Sequence, residues 1–546
     1  MKSTFTNLCL VFSLFICNTL NAQKIEAESG VLDGGAVVVT NASSSGGKYV
    51  TTNAGNITIS TSTATTGFYN VYIYVAAPYG DKQNNFILDG NSAVFATPLN
   101  TNYIRLKVIS SQKVNAGSHT IKITNSWGYI NVDYIEFEAV DASSRFNVNK
   151  TLVTPNPTKE AACLYQFLYD NYGKKILSGV MTLNSFDESN FLKQNTGKEP
   201  VVLGIDFLHT NRKYTWYNDQ TPVDDAKAWS AKNGIPVFCW HWRDPSRATE
   251  SFYTQKGNAT TYTTFDIKKI NDPASTEYKA MLSDIDYTAT LLKSLQTANI
   301  PVIWRPLHEA AGGWFWWGAD GASCKKLYQI MYDRMVNFHG LKNLIWVWTR
   351  EPNDEAFYPG DAYVDIVGRD IYKDGDHGSQ VIEFNNLNTL YGGKKMITIS
   401  ESGSFPDVTN LINDGAGWSW WMPWYGGYTE SATYNSLDLW KKMFASDYVI
   451  TLDEMPNYKN CTLVSGIEEE VSESKGLKIY FSEATGNVIV NSPEVIGQLT
   501  IFNTLGEIVI QKSVNSTNIE VPALNLKSGI YLVKADNKNP VKIFKQ

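Results

Sequence analysis

Between residues 160 and 456, short apolar runs alternate with longer segments whose apolar residues recur every three to four positions. The runs are KILSGV, PVVLGID, IPVFCWHW, IPVIWRPLHE, NLIWVWTRE, DIVGRDIY, KMITISES and GWSWWMPW. The intervening segments, such as EYKAMLSDIDYTATLLKSLQTA and KKLYQIMYDRMVNF, have helical spacing. Eight such runs interleaved with helices over roughly 300 residues predict a (β/α)8 barrel of the TIM-barrel class. Residues 23–140 instead alternate with period two, as in GFYNVYIYVA, HTIKIT and YINVDYIEFE, and are broken by Gly and Asn turns, which predicts a β-sandwich. A polar segment, 141–159, links the two. Residues 466–546 return to β texture, with LTIFNTLGEIVIQKSV as a hairpin around Leu505 and Gly506 and LKSGIYLVKAD as a further strand, a second sandwich. The class is therefore α/β, a barrel flanked by an N-terminal and a C-terminal β-sandwich.

The first 22 residues read differently: Lys2, an apolar run from Leu8 to Cys17, then Ala22 before Gln23. That order is expected of a secretory signal peptide, and its apolar core is shorter than the about 20 residues a membrane span needs. No transmembrane segment is expected in the mature chain.

Composition narrows the function. Hydrophobic content of 43% with 18% charged residues describes folded material, and a formal charge of −7 offers no basic footprint for nucleic acid. A neutral polymer suits this balance better than a polyanion. Cys9 and Cys17 leave with the signal, and Cys163, Cys239, Cys324 and Cys461 have no metal-type spacing. Cys163 and Cys461 flank the central region and are candidates to pair, since the ends of a closed barrel lie near each other. Fifteen of the sixteen tryptophans fall between Trp216 and Trp440, so the centre is chemically unlike either end.

Glu309 closes the fourth run and Glu401 the seventh, and in a (β/α)8 barrel the C-terminal strand ends share one rim. Two carboxylates at one rim are what glycoside hydrolysis requires: one protonates the leaving oxygen, and the other attacks the anomeric carbon or activates water. Trp314, Trp316, Trp317, Trp420, Trp421 and Trp424 follow or end these runs, and pyranose C–H faces stack on such planes. His339 and His377 read as surface or helix-end residues, and Asp206 as either a distal sugar contact or a brace. No H-x-H or HExxH cluster suggests a catalytic metal, so no cofactor is expected for catalysis.

The segments IWRPLHEAAGGWFWWG, DIVGRDIY, ITISESG and WSWWMPW resemble, in order, the signatures of glycoside hydrolase family 26, whose best-populated activity is endo-β-1,4-mannanase. The resemblance implies a retaining hydrolase of mannan-type polysaccharide with Glu309 as acid/base and Glu401 as nucleophile. It implies that His308 bonds the sugar or steers Glu401, that Tyr372 donates a hydrogen bond to Glu401, and that Asp370 orders that network. His241, Trp314 and Trp424 would line the subsites beside the cleaved bond, and Arg305 would balance charge or form a structural ion pair. Two positions depart from the pattern: Ala310 and Ala311 stand where Met-Asn is common, and Ser402 and Gly403 where Val-Gly is common. Action on β-1,3-xylan or mixed-linkage β-glucan within the same family, and a non-catalytic surface polysaccharide-binding protein, are the alternatives.

IEAESG, Trp127 and NVDYIEFE resemble a carbohydrate-binding module of family 35, or its relative family 6. Glu26 and Glu28 share one strand face and, with Asp133, would supply oxygen ligands to a structural calcium; Trp127 and Asn131 would contact sugar. LTIFNTLGEIV, LNLKSGIYLVKAD and the closing VKIFKQ resemble the type A C-terminal sorting domain of the type IX secretion system. The expected partners are a β-mannan-type polysaccharide and that export machinery, and the expected location is outside the cell or on its surface.

Overall fold

In a computed structural model the described residues are 23–258, 260–461 and most of 477–545; the signal-like segment 1–22 and Leu505 of the C-terminal turn lie outside them. Residues 23–140 form two antiparallel sheets. One runs Val37–Thr40, Lys48–Thr51, Asn131–Val140, Gly67–Ala77, Asn100–Val114, with Gln23–Glu26 also on Asn131–Val140. The other runs Val31–Leu32, Ile57–Thr63, Gly117–Trp127, Lys82–Leu88, Asn91–Thr97. Period-two patterning puts Ile57, Ile59, Phe86, Leu88, Ile121 and Ile123 of one sheet in a common core with Val71, Ile73, Val75, Ile135 and Phe137 of the other.

Segment 141–159 lies on the barrel. Arg145 is buried, donating to the Ser111 carbonyl and to Asn385, and the Val153 N–H donates to Asp365 at 2.7 Å. The sandwich also reaches the barrel directly. Lys113 Nζ donates to the Ile412 carbonyl at 2.8 Å and Asn115 to that of Asn413 at 3.3 Å, capping the last carbonyls of the helix Val408–Asp414.

The barrel strands are β1 (Gly179–Met181), β2 (Val202–Asp206), β3 (Ile235–Cys239), β4 (Val302–Arg305), β5 (Leu344–Arg350), β6 (Ile366–Ile371) and β7 (Met396–Ser402), each parallel to the next. Residues 419–423 close the cylinder as its eighth stave. Ile399 N–H donates to the Trp420 carbonyl at 3.0 Å on one side, and Met181 N–H to that of Pro423 at 2.9 Å on the other. All eight apolar runs thus become barrel wall. The longest helix, Thr276–Thr297, starts where Ser275 accepts the Tyr278 N–H at 3.0 Å and buries Met281, Ile285, Leu292 and Leu295 at helical spacing. Cys163 and Cys461 are disulfide-bonded across a sequence separation of 298, joining the two ends of the barrel region; Cys239 and Cys324 are free and buried.

Tryptophan fills this core. Trp316, Trp317, Trp420 and Trp421 are fully buried, so of the six rim tryptophans only Trp314 and Trp424 remain partly open. Residues 477–545 make one five-stranded antiparallel sheet. Its two long strands, Asn487–Phe502 and Ile508–Pro522, form the predicted hairpin around a core containing Val488, Val490, Leu499 and Ile501. Among the described residues no helix is long and apolar enough to cross a membrane.

Candidate active site

Strand β4 stops at Arg305, and the chain then makes a tight turn in which Leu307 and Glu309 both take left-handed backbone conformations, each with φ of 52°. For residues with a β-carbon this costs on the order of 1–2 kcal/mol each and persists only where the surroundings dictate it. Here they do. Trp317 Nε1 donates to the His308 carbonyl at 2.9 Å, and Trp314 Nε1 to Glu309 Oε2 at 2.9 Å. Gly312 makes the second bond feasible, because a β-carbon there would sit 2.1 Å from the Trp314 ring.

Glu401 arrives from β7. The pairing of β6 with β7 shifts register between Arg369 and Asp370, setting Asp370 opposite Glu401. Arg305, fully buried, donates to Asp370 at 3.1 Å, to Thr349 at 3.2 Å and to Glu401. Tyr372 Oη donates to the other Glu401 oxygen at 2.9 Å, and Ser400 Oγ to Asp370 at 2.6 Å. Glu401 is thus held by one guanidinium and one phenol. Glu309 has only the Trp314 indole.

Glu309, Asp370 and Glu401 each place a carboxylate oxygen within 4.8 Å of the other two. Arg305 donates to two of the three, Asp370 and Glu401, and its guanidinium offsets part of the trio's negative charge. Burial pushes the Glu309 carboxyl up to about 9, reinforced by the charges of Asp370, Glu401 and Glu351 and opposed by Arg305. Burial also raises Glu401, to about 7, with Asp370 adding to the rise while Arg305, His241 and the Tyr372 hydrogen bond pull against it. Burial, then Glu401 and Asp370, raise the Tyr372 phenol, which stays a neutral donor. Of the two glutamates, Glu309 holds its proton more tightly.

His241 and His308 form one wall. His241 Nδ1 lies 2.6 Å from Asp206 Oδ2 and its backbone N–H donates to Asp206 Oδ1 at 3.0 Å, so Asp206 braces the ring. The His308 ring is buried with Nε2 3.1 Å from His241 Nε2, and its hydrogen-bonded neighbour is therefore His241. Burial, then the His241 and Arg305 charges, lower the His308 imidazole well below its usual value. The cavity above these groups, about 450 Å³, is also lined by Trp314, Phe315, Tyr253 and Trp424. Two further lining residues, Glu351 and Arg369, escaped the sequence reading and pair at 2.6 Å. The signal was present for one of them: Glu351 closes the fifth run as Glu309 and Glu401 close theirs. Burial raises it to about 7 despite Arg369.

In the N-terminal sandwich, Trp127 is 64% exposed, with Lys82 Nζ 5.1 Å from its ring centre. Exposed Tyr79 and Tyr129, unremarked in the sequence, pack edge to face beside it, 5.8 Å apart. Asn131 opens the next strand, half-buried. Ser45 links the acidic residues: its Oγ donates to Glu26 at 2.6 Å and its N–H to Asp133 at 3.0 Å. Glu26 Oε2 and Glu28 Oε2 are buried without partners, which fits an oxygen-liganded cation, although these three carboxylates do not close to within 4.8 Å as the barrel trio does.

Comparison with known proteins agrees with this layout. Residues 153–454 match glycosyl hydrolase family 26, residues 23–140 a carbohydrate binding module (family 35), and residues 478–546 a secretion system C-terminal sorting domain. A mannan endo-1,4-beta-mannosidase B from Piromyces sp. is 36% identical over 470 residues, covering 82% of this chain and 80% of the relative. The crystal structure of a GH26-CBM35 beta-(1,4)-mannanase from Podospora anserina matches with a TM-score of 0.57 and 34% identity, over 81% of this chain and all of that one. A beta-mannanase from a symbiotic protist of the termite Reticulitermes speratus, solved with a gluco-manno-oligosaccharide, is 42% identical, with a TM-score of 0.54 over 57% of this chain and 98% of that one.

Proposed function

The chain belongs to glycosyl hydrolase family 26, and from that membership we propose a secreted or cell-surface endo-β-1,4-mannanase that cleaves mannan, galactomannan or glucomannan with retention of configuration. The observation that carries the mechanism is the approach of the Glu309 and Glu401 oxygens to within 4.8 Å. That is in line with the closer carboxyl spacing of retaining enzymes, about 5–5.5 Å, rather than the about 6.5–9.5 Å of inverting ones.

In the first step a Glu401 oxygen bonds to the anomeric carbon as the glycosidic C–O bond breaks, and Glu309 gives its proton to the departing oxygen. Arg305 and Tyr372 hold Glu401 ionised and aimed. Forming the glycosyl ester removes the Glu401 charge, one of the charges that raise Glu309, so Glu309 becomes easier to keep ionised. Glu309 then takes a proton from water, whose oxygen attacks the same carbon and returns Glu401 as carboxylate. Two carboxylates and water suffice, and no cofactor enters. Trp314, Trp424 and His241 line the subsites flanking the bond, with His308 supporting His241 and Asp370 ordering Arg305.

Retention of Arg305 and Tyr372 on Glu401 argues against a binding-only protein, which has no use for a desolvated carboxyl pair. The relatives named above are mannanases, which favours mannan over β-1,3-xylan or mixed-linkage glucan. Reducing-sugar release from galactomannan, glucomannan, β-1,3-xylan and barley β-glucan tests the substrate: release from the first two is expected, and release from none would favour binding alone.

The N-terminal module serves this activity by holding polymer through Trp127, with Tyr79, Tyr129 and Asn131 beside it. Glu26, Glu28 and Asp133 would hold a structural calcium, with the two orphaned oxygens as the supporting observation. A melting temperature of the full chain that rises with calcium and falls with chelator checks this. The sorting domain directs export through the type IX machinery.

A further inference from the structure

Trp304 of β4 and Trp346 of β5 are the last couple in the register of those neighbouring strands, and Glu309 and Glu351 each lie five residues past them. Two carboxyls therefore reach the rim from adjacent strands, and both line the cavity of about 450 Å³. The proposed mechanism uses Glu309 and leaves Glu351 without a part. Yet the Glu351 side chain is only 13% exposed and pairs at 2.6 Å with that of Arg369, itself 15% exposed. Desolvation offsets most of the attraction in such a pair, so stability alone does not account for placing it at a catalytic rim.

Arg369 is held from other sides as well. It donates to the Arg350 carbonyl at 3.2 Å, and Glu383, on the helix Val381–Leu390, lies 3.8 Å from it. These partners keep the guanidinium in place whether or not Glu351 is charged. The remaining charged and titratable groups around Glu309 are committed elsewhere. Arg305 of β4 holds Asp370 of β6 and Glu401 of β7, Tyr372 donates to Glu401, and His241 of β3 is braced by Asp206 and bonded to His308. The Tyr253 phenol, from the segment after β3, is raised by burial and then by Glu309, and stays neutral. Of the acids that act on Glu309, Glu401 loses its charge when the glycosyl ester forms. Glu351 takes part in no bond and keeps its charge through both steps.

We propose that Glu351 is a positioning residue for the reaction: its charge, anchored by Arg369, acts across the cavity on Glu309, which therefore keeps its proton for the first step and takes one readily from water in the second. The proposal rests on the acid/base role of Glu309 and adds the residue that sets it. Its consequence is an extended alkaline range. Glu351 ionises as pH passes about 7, and its charge is one of those that hold the Glu309 proton up to about 9.

The test is the pH profile of kcat/KM for Glu351→Gln on mannohexaose and on a dinitrophenyl mannobioside, whose leaving group needs no proton. On mannohexaose the alkaline limb moves down by about one pH unit, the order expected of a single charge under the screening of a protein interior, while the acid limb, set by Glu401, stays. Glu351→Asp, which keeps the charge, restores most of the limb. On the dinitrophenyl substrate no such shift appears. An unmoved alkaline limb, equal shifts of both limbs, or a higher KM at every pH overturns the proposal, the last by making Glu351 a sugar contact. If Glu309→Ala loses no activity on mannohexaose, the acid/base reading fails instead. Carbon-13 NMR titration of the glutamate carboxyls, with the Glu309 signal assigned by its loss in Glu309→Gln, then judges the pair separately: an unchanged Glu309 midpoint in Glu351→Gln overturns it, and a lower midpoint supports it.

Discussion

The barrel and the N-terminal sandwich face the same class of ligand with opposite uses of tryptophan. Trp304, Trp316, Trp317, Trp346, Trp348, Trp420 and Trp421 are fully buried in the barrel, whereas Trp127, the sandwich's only tryptophan, is 64% exposed. The difference follows from what each region must do. Bond cleavage needs a carboxyl that keeps its proton and an arginine paired out of water, and both require walls that exclude solvent. Equilibrium binding needs only a flat apolar plane at low entropic cost. Within the barrel the same division recurs at close range, since Trp317 fixes the His308 carbonyl from the core while Trp314 faces the cavity and touches Glu309.

The comparison breaks most sharply at Glu401. Glu401→Ala is expected to lower kcat on galactomannan by roughly 10⁴-fold or more while calorimetry still shows oligosaccharide binding, because a nucleophile is removed and the walls stay. Near-normal turnover in that variant would reassign the nucleophile. Next comes Tyr372→Phe. Losing a hydrogen bond to a charged group, worth about 1.5–3 kcal/mol, should reduce kcat by roughly 10–100-fold and move the acid limb of the pH profile upward. A change in KM alone would instead make Tyr372 a sugar contact.

Acidity separates the two regions further. In the proposed mechanism Glu401 acts ionised and Glu309 protonated, so kcat/KM should rise as pH passes about 7 and fall as it passes about 9. The same carboxyl burdens the fold. Glu309 ionises near 4.5 when unfolded but only near 9 when folded, so its contribution favours the folded state most below 4.5 and is lost as pH rises toward 9. Glu309→Gln removes that loss and should stabilise the inactive protein at pH 8, by on the order of 1–3 kcal/mol, with little gain at pH 4. Thermal melts at the two values check the sign. The smallest effect belongs to the sandwich: Trp127→Ala should weaken retention on insoluble mannan about tenfold in a pull-down and leave cleavage of soluble mannohexaose unaltered. Equal losses on both substrates would mean that the two regions act on one ligand together.

Much of this layout was legible in the residues. Each of the eight apolar runs is barrel wall, and Glu309 and Glu401 sit at the rim positions expected from closing the fourth and seventh runs. The helix around Met281 and Leu292 is where its spacing put it. Other features had no local signature. Trp314 and Trp316 are two residues apart in one glycine-rich turn, yet one faces the cavity and the other the core. Nothing in RDIY announces the register shift that brings Asp370 beside Glu401. Asp206 read equally as sugar contact or brace until its 2.6 Å contact with His241 assigned it to bracing. Glu351 closes the fifth run just after Trp346 and Trp348 and so carries the same rim signal as Glu309, whereas its pairing with Arg369 has no local signature.

Periodicity is local, since each strand or helix buries its own face whatever its neighbours, and the sequence alone therefore determined the three-part architecture, the rim addresses of the two glutamates and the aromatic character of the centre. Distances across the barrel, the pairing of Arg305 with both Asp370 and Glu401, and the split of tryptophans between wall and cleft depend on residues tens of positions apart meeting in one solvent-free volume. Only the tertiary structure decided those, because exclusion of water is a property of the whole enclosure and of no single segment.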